Sequence, residues 1–210
     1  MSKEQIGRRF KFSQMTREIL GQVFGLDLPE VWHLPNRPQP PSAWFLEQLH
    51  RFSMFDFDYS EASRVLLIDL YLQEAIQSYP DLRVWKEVPL QTDQLTGFAD
   101  YLITPRQIAP TQPFLCIIEA KRDDFERGMT QCVAELLVCQ EKNKEANGTQ
   151  PVYGVVTNGN AWRFYQLTPS RVVLESATYG IGQQAELLGA LSYVLSECEK
   201  LIRKNDDPAS

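Results

Sequence analysis

A chain of 210 residues, 43% apolar and 23% charged, is long enough for one sizeable core and has the profile of a soluble globular protein. No apolar run approaches the ~18 residues of a membrane helix, and the N-terminus lacks the apolar core of a secretory signal, so a cytoplasmic protein without a membrane partner is expected. A net charge of -6 and a pI near 5.1 disfavour a free-standing nucleic-acid binder, although a local basic patch or a partner subunit can supply phosphate contacts.

The chain opens with Lys3, Arg8, Arg9, Lys11 and Arg17 against Glu4 alone. Phe10 and Phe12 lie among these cations, which suits either phosphate contact or a solvated helix docked on the domain. A helix is expected near residues 13–24. The stretch 34–41 follows, with Pro35, Pro38, Pro40 and Pro41, and reads as an extended linker. Ser42 is the expected N-cap of a short helix whose apolar face is Trp44, Phe45, Leu49 and Phe52. These elements make residues 1–59 an N-terminal helical extension.

The main domain is expected over 60–204. Ser60 reads as an N-cap, and Val65, Ile68, Leu72 and Ile76 form the stripe of a helix that stops before Pro80. Residues 82–90, 98–104 and 114–121 read as three strands. A long helix from about Asp124 to Lys142 carries Phe125, Met129, Cys132, Val133, Leu136 and Leu137 on its core face. Residues 151–168 read as two strands joined at Asn158-Gly159, a pair that tolerates positive φ. A strand near 171–177 and a helix over 184–203 complete the domain, and 205–210 form a loose tail. This order predicts an α/β domain around a central mixed sheet flanked by helices.

Two histidines, His33 and His50, are too few for a His-built zinc or haem site or a His-based nucleophile system. Cys116, Cys132, Cys139 and Cys198 form no close pair and read as buried free thiols in a reducing compartment. Carboxylates, lysine and a hard cation remain. Phe114 to Ile118 is apolar throughout, as in a central strand, and ends in Glu119-Ala120-Lys121. Residues i and i+2 of a strand share a face, so Glu119 and Lys121 project together. If the preceding strand pairs with this one as a hairpin, Asp100 sits beside Glu119. Two carboxylates so placed repel, and Mg²⁺ or Mn²⁺ resolves the repulsion. The alternative is a structural Glu119–Lys121 pair on a sheet edge.

The order Asp100, then Glu119-x-Lys121, with the segments "SEASRVLLID", "GFADYLI", "CIIEAKR" and "TNGNAWRFY", resembles the PD-(D/E)XK nuclease superfamily. The similarity is closest to the N-terminal nuclease domains of type I restriction enzyme motor subunits and their stand-alone relatives. It covers roughly residues 60–168, and Ala99-Asp100 stands where the family signature has Pro-Asp. The resemblance implies a restriction-endonuclease-like core and a metal-dependent DNA endonuclease of restriction, repair or defence. It assigns the metal to Asp100 and Glu119 and the attacking water to Lys121. It adds a first-helix Glu, for which Glu61 is the candidate and Glu74 the rival, and a polar residue on the second helix, Gln131. Gln131 shares a helix face with Glu135 and equally suits a surface position. Trp162 is expected to pack in a structural hairpin where Asn158 could approach DNA. DNA is the implied partner, with partner subunits or a homodimer as further expectations. A catalytically silent module of the same fold, binding nucleic acid or protein within a larger complex, is the alternative.

Overall fold

The computed structural model describes residues 9–57, 61–120, 124–146 and 148–206, without the side chains of residues 61, 62 and 204–206. In chain order the strands are β1 (Phe10–Lys11), β2 (Glu30–Trp32), β3 (Leu82–Gln91), β4 (Leu95–Pro105), β5 (Cys116–Ala120), β6 (Val152–Thr157), β7 (Ala161–Leu167) and β8 (Val173–Gly180). The helices are α1 (Arg17–Phe24), α2 (Ala43–Phe52), α3 (Glu61–Ile76), α4 (Phe125–Glu145) and α5 (Gln184–Asp206), with a 3₁₀ turn at Phe12–Gln14. All eight strands form one mixed sheet, ordered β1-β4-β5-β6-β7-β8-β2 with β3 also paired to β4. Strand β5 is antiparallel to β4 and parallel to β6, and its five residues are all buried. Helices cover both faces. Phe45 of α2, Tyr71 of α3 and Leu191 of α5 belong to one core cluster, and α4 joins Phe10, Phe12, Met15 and Leu20 in the other. This is the expected mixed sheet flanked by helices. Among the described residues no helix is long and apolar enough to cross a membrane.

The N-terminal segment is woven into this domain, where the sequence suggested a helical extension. β1 pairs with β4 and β2 with β8, and Phe10 and Phe12, 5% and 2% exposed, lie in the core. Lys3 and Arg8 lie outside the described residues. Strands of two and three residues are too short to show a period, which is why pattern reading misses them. The proline-rich stretch is extended as expected, but it is bonded along α5. Gln39 N donates to Ala185 O at 2.8 Å, Asn36 Nδ2 to Glu186 O at 2.7 Å, and Gln39 Nε2 to Ser192 Oγ at 2.8 Å. Ser42 caps α2 by accepting from Phe45 N at 3.1 Å. Within α2, Phe45 is fully buried, whereas Trp44, expected on the same apolar face, is 43% exposed. At the other end, residues 205–206, expected in a loose tail, continue α5. Residues 207–210 and the proposed cap Ser60 lie outside the described residues.

Helix α4 starts where Asp124 accepts the Arg127 amide at 2.9 Å, and it ends with Lys142 and Lys144 favourably placed at the negative end of the helix dipole. Every residue from Gly128 to Gln140 is buried, so this helix has no solvated face over its middle turns. The sheet lies beneath it. The N-terminal segment lies against its other side, where Thr130 Oγ1 donates to Met15 O at 3.0 Å and Arg17 pairs with Glu126 at 3.1 Å. Its height above the sheet depends on Gly154 of β6. A Cβ at that position would stand 2.6 Å from Cys132 Sγ and 3.1 Å from Leu136 Cδ1, both on α4. Gly154→Ala must therefore push α4 outward. We expect a loss of about 1–3 kcal/mol in chemical denaturation, partly restored in Gly154→Ala/Cys132→Ala. Unchanged stability in the single variant would show that α4 is not seated so tightly.

Candidate functional site

Strand β5 alternates its side chains between the two layers. Cys116, Ile118 and Ala120 face the α3/α5 side, and Ile117 faces α4. Glu119 shares the Ile117 face and is completely buried. The β4–β5 register pairs Tyr101 with Ile118, which brings Asp100 level with Glu119. Asp100 Oδ2 accepts the Ala120 N–H at 2.8 Å, so this carboxylate is fixed at the end of the β4–β5 ladder. On the other edge of β4, the pairs Lys86–Tyr101 and Val88–Ala99 bracket Glu87, whose φ of 53° lies in the left-handed region. That residue stands at the level of Asp100, and beyond it Val88 and Leu90 join the α4-side core.

Helix α4 contributes two polar groups to the same place. Gln131 is 7% exposed and Glu135, one turn on, is 0% exposed. Gln131 Nε2 donates to Glu135 Oε1 at 3.2 Å. Burial pushes the Glu135 carboxyl well above its usual value of 4.5, the adjacent Glu119 carboxyl adds to the rise, and the Gln131 amide opposes it. Asp100 is close enough to contribute as well. Glu135 Oε2 and Gln131 Oε1 are buried without a hydrogen-bond partner. Were both Glu119 and Glu135 ionised, each would offer the other only acceptors; a proton held on Glu135 or a positive charge relieves this.

The structure thus brings together Asp100, Glu119 and Gln131, and it buries Gln131 where a surface position was the alternative. Lys121 lies outside the described residues, as does the side chain of Glu61, the first residue of α3. The rival Glu74 belongs elsewhere. Its carboxylate accepts from Ser42 N at 2.7 Å and from Ser42 Oγ at 2.9 Å, holding the start of α2. Asn158 is occupied in closing its hairpin, where its Oδ1 accepts from Asn160 N at 3.1 Å and Ala161 N at 2.9 Å. Gly159 takes the positive φ of 87° that the turn requires. Trp162 is fully buried, as expected, and donates to Gly159 O at 3.0 Å. All four cysteines are free and buried.

Glu135 is the residue that sequence reasoning placed without a role. Its signal was present in "MTQCVAELLVCQ", where a lone carboxylate sits in a largely apolar helix one turn from Gln131.

Among the described residues no three His, Cys, Asp or Glu side chains form a group that could hold a metal directly. Asp100 and Glu119 are the carboxylates fit to reach a cation. The partnerless oxygens of Glu135 and Gln131 suit a hard ion that keeps part of its water, since Mg²⁺ is bound through one or two carboxylates and retains several waters.

No family profile matches this chain, and no solved structure matches it significantly. A stretch of 64 residues, 30% of the chain, is 34% identical to Crinkler effector protein 5 of Phytophthora infestans. That stretch spans 17% of the Crinkler protein's length. It is too short to place the chain in a family.

Two outcomes follow from this geometry. Glu74→Ala removes the partner of a buried helix start and should cost roughly 2 kcal/mol in urea denaturation, without changing any activity that depends on Asp100. An activity loss in a folded Glu74→Ala protein would return Glu74 to the site. For Glu135, the folded chain holds a proton that the unfolded chain has lost, between the usual 4.5 and the raised folded value. Its contribution is therefore lost as pH rises through that window. Glu135→Gln should be more stable than wild type at pH ~7, with the difference shrinking as pH falls toward about 4.5. A difference that stays constant across this range would contradict the burial effect.

Proposed function

We propose that this chain is a cation-dependent phosphodiesterase that cuts DNA, built on a restriction-endonuclease-like core of the PD-(D/E)XK type. The observation that carries the reading is the Asp100–Glu119 pair. Two carboxylates stand level with each other where the β4–β5 ladder ends, with Gln131 and Glu135 beside Glu119 on α4. Asp100 and Glu119 would hold Mg²⁺ or Mn²⁺, which supplies Lewis acidity at a phosphate oxygen and a more acidic water. The Ala120 amide keeps Asp100 aimed at the end of β5. The covering helix excludes bulk solvent from Glu119, which strengthens its field at the reacting phosphate. Lys121, two residues beyond Glu119, takes the role of orienting the attacking water. DNA as substrate, with a role in restriction, repair or defence, rests on the resemblance of residues 60–168 to that superfamily. Four buried free thiols are consistent with a reducing compartment.

A second reading is favoured by the complete burial of Glu119 and by the lack of a direct three-ligand metal group among the described residues. In it, the chain keeps the fold and serves as a binding subunit without catalysis. Supercoiled plasmid incubated with Mg²⁺, Mn²⁺ or EDTA separates the two. The catalytic reading expects nicking or cutting with either metal, none with EDTA, and none from folded Asp100→Asn or Lys121→Ala proteins. Intact plasmid under all conditions, with folded wild-type protein, decides for the silent module.

A further inference from the structure

We infer that Glu135 and Gln131 form the outer wall of the cation site, each accepting a hydrogen bond from water carried by the ion; this rests on the cation site proposed above. Gln131 and Glu135 lie together beside Glu119, and the Gln131 amide is spent on Glu135 Oε1. Glu135 Oε2 and Gln131 Oε1 are left buried without a partner.

Packing alone does not account for them. Cys132, Val133, Leu136 and Leu137 show that this face of α4 is otherwise apolar, and an apolar side chain at 131 or 135 would fill the same space without stranding an oxygen. A proton shared between Glu135 and Glu119 satisfies one of the two oxygens and leaves Gln131 Oε1 stranded. A hydrated cation satisfies both, because every water bound to it presents two O–H donors outward. It also neutralises the clustered carboxylates. A small hard ion keeps several waters and needs only one or two carboxylates in contact. Glu135 and Gln131 are positioning residues in this scheme, acting through water.

The test is calorimetric titration of Mn²⁺ into wild type, Asp100→Asn, Glu135→Gln and Gln131→Leu at one pH. Each protein is held well below its melting transition, so that all are native. Glu135→Gln keeps shape but loses charge, and Gln131→Leu keeps volume but loses the acceptor. Outer-shell partners of a metal site carry roughly 10- to 100-fold in affinity, and a loss of that size is expected in both variants. Melting temperatures of the metal-free variants should equal or exceed that of wild type, a combination that a purely structural role does not produce. Wild-type affinity, within twofold, in both variants overturns the inference. If Asp100→Asn abolishes binding in the same series, the cation site itself stands. If wild type binds no Mn²⁺, both the inference and the cation-dependent reading fall. Should Glu135→Gln not fold, Gln131→Leu alone decides by the same criterion.

Discussion

The close seating of α4 on the central strands sets everything else in this molecule, and it depends on a missing side chain. At Gly154 the helix comes so near β6 that any Cβ would meet Cys132 Sγ. Lowering α4 onto the sheet brings Gln131 and Glu135 against Glu119 and seals the Glu119 and Glu135 carboxylates from solvent. The N-terminal segment then closes the opposite side of the helix with Phe12 and Met15, whose carbonyl accepts from Thr130 of α4. A helix buried around its middle turns has no solvated side on which to place polar residues. Those it carries must be satisfied inside or serve a purpose there.

That condition gives the site its character. A buried, crowded set of acids destabilises the folded chain, and natural proteins tolerate such costs where function requires them. Asp100 is the anchored member, held by a backbone amide, and Glu119 is the enclosed one. Glu87, in the left-handed region, stands at the same level on the strand beyond β4, so an unusual backbone conformation and charge crowding occur at the same level. The cation reading accounts for the crowding and the partnerless oxygens together. The overall acidity of the chain is no obstacle to that reading, because it concerns one enclosed point of the fold and not the outer surface.

Much of the layout was legible in the sequence. The bounds of strands β3 to β8 and helices α3 to α5 follow the expected ones within a few residues, because apolar stripes, apolar runs, prolines and an Asn-Gly turn mark them in the sequence. The juxtaposition of Asp100 and Glu119 followed from one assumption, that strands 98–104 and 114–121 pair antiparallel, which β4 and β5 do. In the first 57 residues α1, α2 and its Ser42 cap were legible, and the two strands and the docking of the segment were not. β1 and β2 are too short for a pattern, and a proline-rich stretch reads as a linker even when its few remaining polar groups bond to a helix. Glu74 and Glu135 show the same limit within helices. Both are carboxylates on predicted helices, and only the tertiary fold reveals that one grips Ser42 while the other faces Glu119.

Diffraction from crystals soaked in Mn²⁺, with data collected at the manganese absorption edge, would locate the ion. A single strong anomalous peak is expected between the Asp100 and Glu119 carboxylates, with ordered water linking it to Glu135 Oε2 and Gln131 Oε1. A map with no peak there at saturating Mn²⁺, in a crystal whose site is open to solvent, contradicts the cation reading.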